Sequence, residues 1–213
     1  MRTSAARRIE ERAAEGQTLP AIKVTRAETR RRKVLSVASD LFATKGFEAT
    51  SMRDVAAAVG MMSGSLYYHF ASKEDMYVAV QDASVSKIFD WVHAAIARFG
   101  TSWTGDPWER LEAAAVAHCE ALLDRSGFRV LVTPLFPPGL APQVRQKLVE
   151  QRDRFERMMD EVIDALHLPP EINRQVFQKH YLGAINWVGV WYEPGGPLEP
   201  AEIARQIVRA LKR

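Results

Sequence analysis

The sequence contains a single cysteine, Cys119, and no run of apolar residues that approaches the length of a bilayer-crossing helix. One cysteine excludes an internal disulfide and a zinc site built from several thiolates, and about 20 apolar residues in a row are needed to cross a membrane. The arginines near the N-terminus are not followed by an apolar segment of the signal-peptide type. We therefore expect a cytoplasmic protein without membrane association. Cys119 is interpreted as a small buried side chain, with a redox-sensing thiol as the alternative.

The sequence also lacks the motifs of enzyme catalysis. It contains no nucleophile with an adjacent base, no glycine-rich phosphate loop and no paired carboxylates beside a histidine. His93, His118 and His180 fall on different predicted helices without carboxylates at ligand spacing. We therefore predict that the chain is not an enzyme and has neither a metal site nor a cofactor.

What the sequence does contain is an ordinary globular composition with an uneven charge. Hydrophobic residues make up 47% and charged residues 26% of the chain, and the net charge is +3, values that exclude a disordered or membrane class. The basic residues before position 34 are Arg2, Arg7, Arg8, Arg12, Lys23, Arg26, Arg30, Arg31, Arg32 and Lys33. Residues 1–25 are predicted to be a basic, disordered extension. It either adds salt-dependent affinity for a polyphosphate or is a solvated leader without a role.

The most informative stretch runs from Thr50 to Lys73 and reads TSMRDVAAAVGMMSGSLYYHFASK. Ser51 and Asp54 have the spacing of a capping box, in which a hydroxyl and a carboxylate satisfy the unpaired amides of a helix start. The apolar residues that follow on one helical face are Met52, Val55, Ala56 and Val59. Gly60 ends this helix, because glycine adopts the left-handed conformation at no steric cost. A short helix followed by a tight turn is therefore predicted.

A second helix is predicted to begin at Met62 or Ser63 and to bury Leu66 and Phe70, which lie four residues apart. Its other faces carry hydroxyls, phenols and an imidazole, from Ser63, Ser65, Tyr67, Tyr68 and His69. Such groups suit phosphate oxygens and the edges of bases. Two short helices joined by a glycine-containing turn, the second with this polar face, are typical of a helix-turn-helix DNA-binding motif.

The sequence GFEATSMRDVAAAVGMMSGSLYYHFASKEDMY, within Val34 to Tyr77, resembles the DNA-binding domain of TetR-family transcriptional repressors. The DNA-contacting positions that this resemblance implies are Thr50, Arg53, Ser63, Gly64, Ser65, Tyr67, Tyr68, His69 and Lys73. Base edges are implied for Arg53 and Ser63, and a phosphate contact for Lys73. Ser65 and Tyr67 are implied to contact bases or phosphate, Tyr68 and His69 are implied to contact phosphates, and Thr50 is implied to contact the DNA backbone.

Gly64 departs from the family pattern, because a side chain is often present at this position. Its cost of about 1 kcal/mol relative to alanine in a helix indicates either close approach of the backbone to DNA or simple tolerance.

The rest of the chain shows helical periodicity and no strand alternation. Helices are predicted at residues 27–45, 72–100, 106–125, 142–166, 171–192 and 199–211, with a short apolar segment from Phe128 to Phe136. The fold class is therefore all-α, with about nine helices. We predict a three-helix DNA-binding domain at residues 26–75 and a helical ligand-binding and dimerisation domain at residues 76–213.

The predicted helix 171–192 is apolar on two adjoining faces, which indicates burial from two sides. One side can face the protein's own core and the other a second subunit, and Gly183 permits close approach. A twofold homodimer that reads a palindromic operator is predicted, as the resemblance also implies. The predicted interface residues are Tyr181, Ala184, Val188, Trp191, Ile203 and Ile207.

The C-terminal half has more large apolar side chains than a compact helical core of its size needs, which indicates a ligand cavity. The predicted lining is Trp91, Trp108, Phe128, Phe155, Met159 and Trp187, with Arg152 as a cation for a ligand phosphate. The run Trp-Tyr-Glu-Pro-Gly-Gly-Pro at 191–197 resembles that of TetR regulators of fatty acid, sterol and aromatic acid degradation, many of which answer to acyl-coenzyme A thioesters. A plain turn between the last two helices is the alternative explanation of this run.

These observations predict a ligand-responsive repressor that is released from its operator by a small apolar effector, an acyl-CoA thioester of a catabolic pathway. The alternative is a TetR-type regulator of an efflux or stress gene that answers to a hydrophobic xenobiotic. A DNA-binding architectural protein without an effector is a further possibility, but it would leave the aromatic-rich C-terminal half without a use.

Overall fold

The computed structural model describes residues 26–100, 102–124 and 136–212, and in these ranges the chain forms eight helices and no strand. The helices are α1 (Arg26–Thr44), α2 (Met52–Val59), α3 (Ser63–His69), α4 (Lys73–Ala97), α5 (Pro107–Leu123), α6 (Pro142–Asp164), α7 (Arg174–Trp191) and α8 (Pro200–Leu211). The all-α prediction is confirmed. Both the predicted extension 1–25 and the predicted apolar segment as far as residue 135 lie outside the described residues.

The helix ends follow the capping chemistry of the sequence. Ser51 and Asp54 form the predicted capping box, with the Asp54 amide donating to Ser51 Oγ at 3.1 Å and the Ser51 amide donating to Asp54 Oδ2 at 2.9 Å. Gly60 closes α2 at φ 71°, in the left-handed region. At the start of α4, Ser72 Oγ accepts from the Asp75 amide at 3.0 Å. These predicted ends of α2 and α4 are confirmed.

Helix α7 begins three residues later than its apolar pattern predicts. The Asn173 side chain accepts from the Val176 amide at 3.1 Å and so caps the helix at Arg174 rather than Glu171. An amide side chain at the cap position satisfies one of the free amides of the first turn. The apolar period continues upstream of the cap, which is why the pattern alone places the start too early.

Residues Lys33–Arg213 form one compact unit with two apolar cores. The head core contains the buried faces of α1, α2 and α3, and the C-terminal core is built from α4 to α8. Helix α4 belongs to both, with Met76 in the head core and Val92 in the C-terminal core; α6 does the same with Leu148 and Met159. These two helices therefore connect the head core with the C-terminal core.

None of the described helices combines the length and hydropathy needed to cross a membrane. The predicted domain boundary between residues 75 and 76 stays a prediction, because α4 is continuous across it and is shared by both cores.

Candidate DNA-reading surface and effector cavity

Helix α3 presents a polar face to solvent because two apolar anchors hold its opposite face. Leu66 is fully buried and Phe70, just after the helix, is 4% exposed. On the free side Tyr68 is 87% and Tyr67 is 52% exposed, and Ser65 is exposed beside them. Phenols and hydroxyls on a short exposed helix can enter a major groove and contact phosphates or base edges.

The neighbouring positions extend this surface. Arg53 is exposed on α2, while Ser63 and His69 at the two ends of α3 are half-buried. The His69 ring packs edge-on against Tyr68, with ring centroids 5.6 Å apart. The structure thus places most of the predicted DNA-contacting residues on or next to α3. Their contacts with DNA remain predictions.

Thr50 is an exception, because its side chain is bound within the protein, and its predicted contact with the DNA backbone stays a prediction. The side chain is 1% exposed, and its hydroxyl donates to the Gly46 carbonyl at 2.8 Å. A hydroxyl that is buried and hydrogen-bonded within the protein is not available to a phosphate. Thr50 therefore stabilises the turn between α1 and α2 from inside.

Lys73 is also bound within the head. Its Nζ donates to the Phe47 carbonyl at 3.0 Å and to the Glu48 carbonyl at 3.5 Å, and it lies 4.2 Å from the centroid of the Phe47 ring. This half-buried ammonium ties the first residue of α4 to the turn that precedes α2. The geometry favours a structural role over the predicted phosphate contact.

We predict that Gly64→Ala stabilises the protein and weakens operator binding. A Cβ built at Gly64 meets nothing within 4 Å, and alanine is the better helix former, so the free energy of unfolding should rise by about 0.5 kcal/mol in this first turn. On DNA the added methyl would hold α3 away from the groove, and operator affinity should fall by about tenfold. Thermal unfolding and a gel-shift titration check the two effects. Unchanged operator affinity would show that this glycine is merely tolerated.

The C-terminal part contains a cavity of about 730 Å³ between α4, α5, α6 and α7. Its apolar lining consists of Val85, Ile88, Phe136, Leu148, Val149, Phe155, Leu182, Trp187 and Val190. The size and the apolar lining are those of a small-molecule site. The cavity lies between α4 and α6, which are the two helices shared with the head core.

Three cationic side chains, Arg145, Arg152 and Lys179, line this cavity at exposed positions and so mark its opening. Lys179 Nζ lies 2.6 Å from the carboxylate oxygens of Glu156, and Arg152 Nε lies 3.5 Å from the same carboxylate. Arg152 also pairs with Asp153 at 3.0 Å. Arg145 has no ion-pair partner among the described residues, so its charge is the one most open to an anionic ligand.

The inner wall of the cavity is polar at one place. His118, on α5, is 1% exposed, and its Nε2 lies 3.1 Å from Asn186 Oδ1 on α7. Burial lowers the pKa of His118 to about 4, so the imidazole is neutral at neutral pH. Gln81 and Ser84 from α4 line the same cavity and are also buried. No cluster of three potential metal ligands occurs among the described residues.

The predicted pocket residues divide into three groups. Phe155, Arg152 and Trp187 line the cavity. Met159 is fully buried in the C-terminal core and Trp108 packs against that core, whereas Trp91 is 41% exposed on α4; Phe128 lies outside the described residues. The prediction was based on large apolar side chains and therefore did not include the polar residues of the lining, which are Gln81, Ser84, His118 and Asn186.

The residues predicted for the dimer interface differ in their exposure, and their contact with a second subunit stays a prediction. Tyr181 and Val188 are fully buried and Ile203 is 5% exposed within a single chain, so these side chains belong to its own C-terminal core. Ala184 and Ile207 are half-buried, and Trp191 is 49% exposed. The apolar side chains that α7 exposes are Val176, Trp187, Val190 and Trp191; we call them the α7 stripe.

The buried environment of Cys119 favours the packing interpretation. The side chain is fully buried, and burial raises the pKa of its thiol to about 12. The thiolate is the reactive form of cysteine, so this thiol is unreactive at neutral pH. Tyr181 lies beside it with a hydroxyl that has no hydrogen-bond partner among the described residues, and burial raises the pKa of that phenol.

A head built on a helix-turn-helix with a polar outer helix is the architecture of a DNA-binding regulator. The family model for bacterial regulatory proteins of the tetR family matches residues 34–80, and that for the tetracyclin repressor-like C-terminal domain matches residues 104–213. The chain belongs to the TetR family of bacterial transcriptional regulators; it is a DNA-binding repressor and not an enzyme.

Similar proteins agree with this assignment. The chain is 33% identical over 184 residues to the transcriptional repressor KstR2 of Mycobacterium tuberculosis. The alignment covers 84% of this chain and 88% of that protein. The structure of KstR2, a ketosteroid transcriptional regulator, aligns with a TM-score of 0.66 over 85% of this chain and 92% of that one, at 27% identity. AibR, solved with isovaleryl coenzyme A and operator DNA, shares the fold with a TM-score of 0.72 at 23% identity, over 85% of this chain and 97% of its own.

Proposed function

We propose that the protein is an effector-responsive repressor that binds a palindromic operator as a homodimer and is released by an acyl-CoA thioester from a catabolic pathway. The observation that carries this proposal is the position of the cavity. It lies between α4 and α6, directly next to the N-terminal parts of both helices that pack in the head core, and Leu148 belongs to both the cavity lining and the head core. Such a regulator acts on the chromosome and therefore works in the cytoplasm.

The coupling from cavity to head follows from specific contacts. Gln81, in the cavity wall, donates to the Tyr77 hydroxyl at 2.9 Å. The Tyr77 ring packs edge-on against Phe42 and Phe47 of the head core, at centroid distances of 5.5 and 4.9 Å. A ligand that separates α4 from α6 therefore displaces groups that position α2 and α3. It need only bind better to the displaced geometry to shift the population away from the DNA-binding state.

The effector class follows from the two ends of the cavity. The interior is mainly apolar and suits an acyl group, while Arg145, Arg152 and Lys179 at the opening suit the phosphates of coenzyme A. KstR2 is named for ketosteroids and AibR was solved with a CoA thioester, which supports the same class for this chain. A purely hydrophobic xenobiotic would bind in the apolar interior and would make no contact with the cationic side chains at the opening.

The homodimer is supported by the α7 stripe. Val176 is 66%, Trp187 is 57% and Val190 is 54% exposed in the single chain. Apolar side chains collected on one exposed helix face mark an interaction surface. A twofold contact along α7 would bury them and place two heads on one operator.

A gel shift on the DNA upstream of the protein's own gene tests the proposal. The purified protein should retard this fragment, and a series of acyl-CoA thioesters should release it at micromolar concentrations. Failure to bind any upstream fragment would contradict the operator role. Release by hydrophobic drugs and by no thioester would instead identify an efflux or stress regulator.

We predict that Arg145→Ala weakens the response to an acyl-CoA by about tenfold, because one charge-assisted hydrogen bond to a phosphate is lost. The response to the corresponding acyl-pantetheine, which lacks the phosphates of the nucleotide, should be unchanged. Arg157→Ala is the matched control, since Arg157 is exposed on the same helix but does not line the cavity. An equal loss for both ligands would argue against a phosphate contact at Arg145.

A further inference from the structure

Two buried polar atoms on cavity-lining residues have no hydrogen-bond partner among the residues that the structure describes. They are Nδ1 of His118 on α5 and Oε1 of Gln151 on α6. Buried polar groups normally have hydrogen-bond partners, and an unmet one is costly. The chemistry of these two atoms therefore indicates what kind of group a ligand of this cavity presents to them.

Both atoms are acceptors, because the other polar atom of each side chain already donates. Asn186 Oδ1 only accepts hydrogen bonds, so the His118 Nε2 that lies 3.1 Å from it carries the imidazole proton. Nδ1 is then unprotonated, and it stays so at neutral pH because burial lowers the pKa of His118 to about 4. In Gln151, Nε2 donates to the Val78 carbonyl at 3.5 Å, and Oε1 is the acceptor that is left.

His118 is fixed in place and is surrounded mainly by apolar groups. Its side chain is 1% exposed, and the Phe155 ring packs edge-on against the imidazole at a centroid distance of 5.1 Å. Ile88 and Leu182 belong to the same cavity lining. A fixed acceptor in such surroundings favours a ligand with a neutral O–H or N–H donor, since an ammonium group would lose its hydration there. A methylene or a carbonyl has no hydrogen to donate and would leave the acceptor unmet.

We propose that the effector is a hydroxyacyl thioester, whose hydroxyl group donates a hydrogen bond to His118 Nδ1. Gln151 Oε1 is a second acceptor in the same cavity. This inference rests on the proposed acyl-CoA response and specifies which acyl groups produce it. A site with a buried acceptor for a ligand hydroxyl discriminates strongly against the analogue that lacks it, so His118 determines specificity.

The test compares matched ligands, so that a general change of affinity cancels. The CoA thioester of cyclohexanecarboxylate, those of its 3-hydroxy and 4-hydroxy derivatives and those of the corresponding oxo derivatives are titrated into the full-length protein by isothermal calorimetry. The oxo compounds carry an oxygen at the same ring position but can only accept. The better hydroxy isomer should bind about tenfold more tightly than both the parent and its oxo counterpart, the magnitude of one neutral hydrogen bond.

His118→Phe keeps an aromatic ring against Phe155 but removes the acceptor, so it should abolish the hydroxyl preference; His118→Leu replaces it if the phenylalanine variant does not fold. Gln178→Leu is the matched control. It removes a buried amide of α7 that hydrogen-bonds Glu156 and Asp160 and does not line the cavity, so it should keep the full preference even if it weakens folding.

Two outcomes overturn this inference and leave the proposed function intact. One is equal binding of the hydroxy, oxo and parent thioesters, together with an equal loss for all of them in His118→Phe, which would show that the acceptor meets a donor common to all thioesters, such as a pantetheine amide. The other is a hydroxyl preference that survives in the His118 variants. Failure of every thioester to bind would overturn the proposed effector class and this inference together, so the two failures are distinguishable.

Discussion

Replacing Val176 and Trp191 together by glutamate should convert the protein to a monomer and lower its operator affinity at least about a hundredfold. Both side chains lie on the α7 stripe, outside the cavity lining, and are 66% and 49% exposed. A carboxylate buried in an apolar interface without a partner is strongly unfavourable. Linking two DNA heads in one particle raises affinity by about 10² to 10⁴ without any new contact, and this gain disappears when the heads separate.

Analytical ultracentrifugation checks the mass, and a gel shift with the full palindrome and with one half-site checks the affinity. The double variant should lose its preference for the full palindrome over the half-site while its head still binds weakly. Ala94→Glu is the control, because Ala94 is exposed on α4 and is not part of the α7 stripe. A double variant that sediments as a dimer would show that the interface lies elsewhere.

Local chemistry made the head largely predictable from sequence. Ser51 and Asp54 satisfy each other within four residues, and Gly60 needs only its own backbone conformation. Interactions of this range are visible in the sequence because both partners are close in the chain. The same reasoning placed the exposed phenols of α3 on its outer face, since Leu66 and Phe70 fix the buried one.

The C-terminal half was less predictable because its decisive contacts join distant residues. Helix α7 is apolar on adjoining faces, and periodicity alone cannot say which face meets the chain's own core. The packing of α5 against α7 buries Tyr181 and Val188 and leaves Val176 exposed. The polar wall of the cavity includes His118 and Asn186, which are 68 residues apart in the chain. A local sequence pattern cannot predict a contact between residues this far apart.

Lys73 has two alternative roles, one implied by the family resemblance and one indicated by its contacts in the structure. By resemblance it contacts a DNA phosphate, whereas in the structure its ammonium donates to the Phe47 and Glu48 carbonyls and lies over the Phe47 ring. We expect Lys73→Met to lower the free energy of unfolding by about 2 kcal/mol, the combined value of a charge-assisted hydrogen bond and a cation–π contact at a half-buried site. Operator affinity should fall as well, because the turn before α2 loses its tie to α4.

The salt dependence of operator binding decides between the two roles. If Lys73 neutralises a phosphate, the slope of log affinity against log salt concentration should fall by about 1 in Lys73→Met; a structural role leaves the slope unchanged, which is our expectation. Lys45→Met is the control for loss of one positive charge. Lys45 pairs with Asp54 at 3.6 Å and is 49% exposed, and such surface pairs contribute at most about 1 kcal/mol. Denaturant unfolding at fixed protein concentration should therefore show a clearly larger decrease in the free energy of unfolding for Lys73→Met than for Lys45→Met. Equal decreases would contradict a structural role for Lys73.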